Sequence, residues 1–218
     1  MVKDRLYPTK KSGRYYILTL LRIVNQKILE EYVRKGDTIL DYGCGNMPYK
    51  RLFEDRCKNY IGVDFSENDQ ADLHLTDGRI PLESNSVDVV ISTQVLEHVE
   101  FPEQYLKECY RVLKQDGKLL LSTHGHWKYH PDPTDFWRWT KDGLEKIITV
   151  QSFKIITIYG LMGLSSSGLQ LFQDGFAKTI HLRFKPFLYY IIAWFQEKLD
   201  KKELFQKDAS VYYVVAKK

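Results

Sequence analysis

Apolar positions change their period along the chain, and each change marks an element. Over residues 14–34, Ile17, Leu20, Leu21, Val24, Ile28 and Leu29 recur at three- and four-residue steps, one stripe of an amphipathic helix that Gly36 brings to an end. Short continuous apolar runs follow at residues 38–42, 60–64, 87–92 and 118–123, with a weaker one at 72–75. They read as buried strands. Residues 102–113 and 141–150 return to helical spacing, and Gln115-Asp116-Gly117 reads as a turn into the fifth strand. Runs at 153–159 and 211–216 complete seven strands.

Strands alternating with helices predict an α/β fold, a doubly wound and mostly parallel seven-stranded sheet behind an N-terminal helical segment at 1–36. The chain reads as one domain over residues 1–218. Residues 161–209 are too long for a plain loop and are expected to form a helical cap or docking insertion before the last strand.

Composition adds limits. The chain has 44% apolar and 28% charged residues, a globular balance. Cys44, Cys57 and Cys109 form no C-x-x-C pair and are odd in number, which fits a reducing compartment. No signal-peptide core is evident, and the strongest apolar run, 186–195, is too short to span a bilayer, so a cytoplasmic protein is expected.

Charge changes the picture more. Residues 1–35 carry nine Lys/Arg against three Asp/Glu, residues 36–175 fourteen against twenty-one, and residues 176–207 seven against three. An acidic centre with no interleaving of aromatic and basic residues argues against nucleic acid as partner. The stretch 178–202 joins an aromatic-aliphatic centre to basic flanks. It is open to three uses: peripheral contact with the inner membrane face, a cap on the sheet, or a homodimer contact.

Candidate chemistry begins at ILDYGCGNMP. Gly43 and Gly45 follow the first strand, where the absence of a Cβ lets the backbone turn tightly and lie against a ligand. Asp41 ends that strand. Asp64, followed by Phe65, ends the next at the interval that lets a carboxylate reach ribose hydroxyls, and Asp77-Gly78 follows the third. A dinucleotide fingerprint wants a third glycine where this chain has Pro48, so adenosine without pyrophosphate fits better.

The segments ILDYGCG, IGVDFS, IPLESNSVDVVISTQVLEHV and YLKECYRVLKQDGKLLLST resemble the class I S-adenosylmethionine (SAM)-dependent methyltransferases over about residues 38 to 124. The resemblance implies a Rossmann-like sheet whose last strand is antiparallel. It implies SAM as cofactor, with Gly43 and Gly45 on its methionine part, Asp64 on the ribose, Asp77 on the adenine and Gln94 beside the sulfonium. Relatives that methylate quinone precursors carry E-x-x-E-H around His98. Here Gln94 replaces the first glutamate, and no metal site is expected.

A hydroxyl acceptor needs a base. The candidates are His126 and His130 in STHGHWKYHPDPTDFWRWT, together with His98. That segment gathers histidines, acids and tryptophans suited to a ring-shaped substrate. HPDPTDFWRWTKDGL resembles methyltransferases of bacterial surface-polysaccharide and glycolipid gene clusters, which implies a hydroxyl of a saccharide or glycolipid, a small-molecule or glycan substrate, as acceptor. Arg14, opening the first helix with Tyr15 and Tyr16, is placed as a partner for the SAM carboxylate.

Overall fold

The computed structural model describes residues 5–218. Its centre is a seven-stranded sheet in the order β3-β2-β1-β4-β5-β7-β6. The strands are β1 (Thr38–Tyr42), β2 (Asn59–Asp64), β3 (Leu73–His74), β4 (Val87–Thr93), β5 (Leu113–His124), β6 (Lys154–Gly163) and β7 (Ala209–Lys217). Pairings from β3 through β5 are parallel, and β7 runs antiparallel to both β5 and β6. The C-terminal ends of β1, β2, β4, β5 and β6 therefore share one edge with the start of β7 (His124 and Leu161 both pair with Val211).

The continuous apolar runs are explained by burial on both faces. Ile39, Val89, Ile91 and Leu120 face one layer with helix α1 (Tyr15–Tyr32), whose stripe from Ile17 to Leu29 is buried as the period predicts. Leu40, Val90, Leu119 and Leu121 face the other, packed by α3 (Pro102–Val112) and α4 (Lys141–Val150). Each such fully buried aliphatic contributes roughly 1.5–3 kcal/mol.

Local structure corrects the sequence reading at one point and adds detail at two others. The residues before the fifth strand are drawn into β5 as a bulge with Asp116 at φ 68°, where the β4–β5 register shifts. The glycine turn leads into a single helical turn, α2 (Lys50–Phe53), and a short 3-10 segment, because KRLFEDR offers no continuing apolar stripe. The 161–209 insertion is a helical hairpin, α5 (Leu164–Phe176) and α6 (Lys185–Asp200), standing on β6 at the shared edge. No helix among the described residues is long and apolar enough to cross a membrane.

Candidate cofactor turn and histidine cluster

The glycine turn is held from below. The backbone N–H groups of Gly43 and Cys44 both donate to Val63 O, at 2.9 and 3.2 Å, which folds the end of β1 over the end of β2. Gly43 has φ 74° and Gly45 φ 51°, conformations that L side chains adopt at a cost. A Cβ on Gly43 would lie 2.7 Å from Val95 Cγ1, whereas one on Gly45 would meet nothing within 4 Å. One glycine is needed for packing against the turn after β4. The other leaves open space in front of the backbone, room that a bound molecule can use.

Asp64 closes this cradle. Its Oδ2 accepts from Gly45 N at 2.9 Å and from Asn68 Nδ2 at 2.8 Å, and its Oδ1 accepts from Phe65 N at 2.9 Å. Asn68 Nδ2 also donates to Gly45 O, so the asparagine, which sequence reading missed, pins carboxylate and turn together. Oδ1, with a single donor, keeps acceptor capacity for a ribose hydroxyl. Phe65 is exposed beside it.

Asp41 sits deeper. It is buried, accepts from Tyr60 Oη at 2.7 Å, and its carboxyl is pushed up to about 7, chiefly by burial. Its place is beneath the turn, supporting it. Asp77 and Gly78 are the two left-handed central residues of a tight turn closed by reciprocal Thr76–Arg79 backbone bonds, which leaves the Asp77 side chain exposed. Gln94, also left-handed at φ 58°, is anchored to β5 by its backbone N–H to Ser122 O and its Nε2 to Ser122 Oγ. Tyr15 and Tyr16 face away from the turn: Tyr15 Oη donates to Glu197, and the buried Tyr16 Oη accepts from Lys202 N.

Past the ends of β4 and β5 lies a cluster that sequence reading only partly anticipated. Glu97 has no exposed surface; its Oε2 accepts from Thr123 Oγ1 at 2.9 Å, and its Oε1 lies 3.1 Å from His124 Nδ1. The last two atoms touch without good hydrogen-bond alignment, and neither has another partner. Burial pushes the Glu97 carboxyl up to about 7 and the His124 imidazole down to about 2. Below about 7 the pair therefore holds one proton, on the carboxyl.

His98 and His130 join this pair. Their rings meet edge to face at 5.7 Å, and His130 lies 6.1 Å from His124, which stacks on Trp127 at 5.0 Å. His98 Nδ1 bonds to Thr134 O, and its Nε2 lies 3.9 Å from Glu97 Oε1. His130 titrates below the ordinary histidine range, first through burial and then through Arg14 and His98. Arg14 is thus near enough for its charge to disfavour a proton on His130. The loop carrying these rings is tied down by the Asp135–Arg138 pair, by Arg138 on Trp127 O and Lys128 O, and by Phe136 N and Trp137 N on Glu97 O.

His126 is the exception. It stands apart on the α4 side, 3.8 Å from Asp208, in a cleft of about 440 Å³ lined by Trp139, Lys141, Lys207 and Tyr212 among others. Among the described residues no group of three or more His, Cys, Asp or Glu is disposed to hold a metal ion.

An open α/β sheet with a glycine cradle, an acid closing it and polar groups beyond the strand ends defines the class of Rossmann-like nucleoside-binding domains. Comparison with known proteins narrows this: residues 40–121 match the methyltransferase domain family. Over those residues the chain is thus similar to the class I SAM-dependent methyltransferases, the class whose cofactor is SAM.

A probable S-adenosylmethionine-dependent methyltransferase of Mycolicibacterium smegmatis is 33% identical over 106 residues, 44% of this chain and 41% of that protein. A ubiquinone biosynthesis O-methyltransferase of Coxiella burnetii is 28% identical over 127 residues, 51% of this chain and 54% of that protein. The chain thus matches about half the length of these curated relatives. A SAM-dependent methyltransferase from Archaeoglobus fulgidus superposes with TM-score 0.60 at 17% identity, covering 99% of this chain and 97% of that one. The cyclase SpnF does so with TM-score 0.62 at 18% identity, covering 95% and 84%. A shared fold therefore does not fix the reaction.

Proposed function

We propose that the protein transfers a methyl group from SAM to a hydroxyl of a saccharide or glycolipid. The observation that carries this reading is the placement of the Glu97–His98–His124–His130 cluster, under aromatic rings, at the same sheet edge as the glycine cradle. Gly43, Gly45, Asp64, Asp77 and Gln94 would hold the cofactor, whose sulfonium supplies an electrophilic methyl group. The open space at Gly45 and the spare acceptor capacity of Asp64 fit a ribose-bearing ligand.

The acceptor hydroxyl must lose a proton as its oxygen attacks. Donation from His98 Nδ1 to Thr134 O fixes the tautomer that leaves Nε2 able to take that proton. Above about 7, where Glu97 has given up its proton, its Oε1, 3.9 Å from Nε2, balances the charge that then forms. Burial keeps His130 neutral, a second acceptor beside it. Trp127 and the neighbouring tryptophans offer faces for a sugar ring, and holding the hydroxyl in line supplies much of the acceleration. The reading includes where the reaction occurs: the basic, aromatic stretch 178–202 rests against a membrane face.

The ubiquinone-pathway relative favours a second reading, methylation of a small aromatic or quinone metabolite, in which the same rings hold a flat acceptor. Calorimetric titration with SAM, followed by assay of methyl transfer to saccharide and to catechol acceptors, tests both. Wild type should bind SAM and Asp64→Ala should not. His98→Gln should bind it normally but turn over the saccharide about 10²- to 10⁴-fold more slowly. Normal affinity in Asp64→Ala would break the cofactor assignment, and turnover of catechols alone would move the substrate to the second reading.

A further inference from the structure

The α5–α6 hairpin is built inside out. The faces it turns to the molecule are mostly polar: Ser166, Ser167, Gln170 and Gln173 on α5, and Gln196 and Asp200 beside the apolar Ile192 and Ala193 on α6, all buried. They are satisfied internally. Gln196 Nε2 donates to Ser166 O, Ser167 Oγ to Met162 O, and Gly163 N to Asp200 Oδ2, while Gln170 and Gln173 both donate to Gly13 O. The outward faces are apolar, with Leu171, Phe172 and Phe176 on α5 and Phe187, Tyr190, Trp194 and Leu199 on α6. Phe172 is 59% exposed and Phe187 68%, and no other described element covers them.

An ordinary cap would place these residues the other way round, because fully burying a Leu or Phe is worth roughly 1.5–3 kcal/mol. A contiguous aromatic surface of this kind marks a binding face. Its rim decides the occupant. Lys178, Arg183, Lys185, Lys198, Lys201 and Lys202 lie on or beside the two helices, against four acids: Glu197 is neutralised by Lys10, Asp174 pairs with Lys128, Asp200 is buried, and Glu203 is exposed. A second copy turned onto the same face would bring lysines against lysines.

We propose that this hairpin docks the protein on an anionic lipid bilayer, with its aromatics at the headgroup boundary and its cations on the phosphates. The proposal deepens, and rests on, the membrane contact assigned above to 178–202. It adds α5 to the surface and fixes the sign of the lipid charge. It also gives the docking a direction. α5 begins where β6 ends, at the edge that carries the cofactor turn, and Asp174 on α5 pairs at 3.1 Å with Lys128 of the histidine loop. The loop tip, Tyr129, is 75% exposed next to that pair. Docking therefore sets the acceptor side of the cluster beside the bilayer, where an amphiphilic acceptor is held.

The test is flotation of the full chain with vesicles of phosphatidylcholine alone and of phosphatidylcholine mixed with phosphatidylglycerol. Wild type should rise with the mixed vesicles at low salt and stay behind with phosphatidylcholine alone. Phe172→Ser combined with Phe187→Ser should lower partitioning at least tenfold, and Lys185→Gln roughly fivefold, the effect of one basic residue near an anionic surface. SAM affinity should be unchanged in every variant, which separates this outcome from failure of the methyltransferase reading. No flotation of wild type at low salt overturns the proposal, as does equal flotation with both vesicle types. A dimer in light scattering that dissociates in the Phe187→Ser variant, without flotation, gives the face to a second copy and overturns it as well.

Discussion

At the scale of single residues, Glu97 and His124 control one proton. The stability that Glu97 contributes through its raised pKa is full below about 4.5 and lost as pH rises through about 7. That of His124, whose pKa is depressed, is full above about 6.5 and lost as pH falls towards about 2. Between 4.5 and 6.5 folded and unfolded chains each carry one proton on the pair, so the pair adds no slope.

Glu97→Gln removes the carboxyl and leaves a histidine that refuses a proton in the fold. Relative to wild type, the variant should lose stability from near pH 6.5 downward, by about 1.4 kcal/mol per pH unit. Denaturant titrations from neutral to mildly acidic pH check this, and parallel curves would show that the Glu97 carboxyl does not titrate above its ordinary range. This proton was not legible in the chain. His98 and His130 were singled out as bases, but Glu97 beside His98 and His124 in the histidine segment were not, and only folding shows which carboxyl the two segments share.

Among elements, the glycine turn separates two jobs that look alike in sequence. Gly43→Ala adds a Cβ 2.7 Å from Val95, with a left-handed strain of roughly 1 kcal/mol and an overpacking cost of about 1–3 kcal/mol. Gly45→Ala adds the strain alone, since its Cβ meets nothing within 4 Å. Thermal melts should show the larger loss for Gly43→Ala, and SAM affinity should fall in both. Equal losses would mean that the turn is not packed on Val95.

This element was readable because its needs are local: two glycines, a strand before them and an acid at the next strand end. Asn68, which locks Gly45 to Asp64, carried no such signal, since an asparagine in a polar loop looks like any other. The hairpin was unreadable for the opposite reason. Its apolar stripe was plain, but the rule that apolar faces turn inward points the wrong way where six buried polar residues find their partners among loop carbonyls, helix ends and one another.

For the whole molecule, the sheet order places β7 between β5 and β6, so the strand read last is one of the most enclosed. Its residues Val211 to Ala216 are all buried, and Tyr213 Oη donates to Asn25 of α1 across the core. Deleting residues 209–218 should abolish cooperative thermal unfolding followed by circular dichroism. Cleaving the connection at 177–181, which crosses no sheet pairing, should leave that transition in place. The seven strands were countable from their apolar runs, yet this order was not, because identical runs fit any position in a sheet buried on both faces.

The same insertion has a bearing on how the chain is made. β6 leaves the ribosome with no strand to join, as its only partner lies beyond the whole α5–α6 hairpin. Through that interval the growing chain holds an open edge on β5, an unpaired β6 and an aromatic helix pair all at once. Each of these invites aggregation in a crowded cell. Chaperones or a nearby membrane surface able to take up the hairpin as it emerges would then govern yield, and the protein should be far easier to obtain by slow expression than by fast.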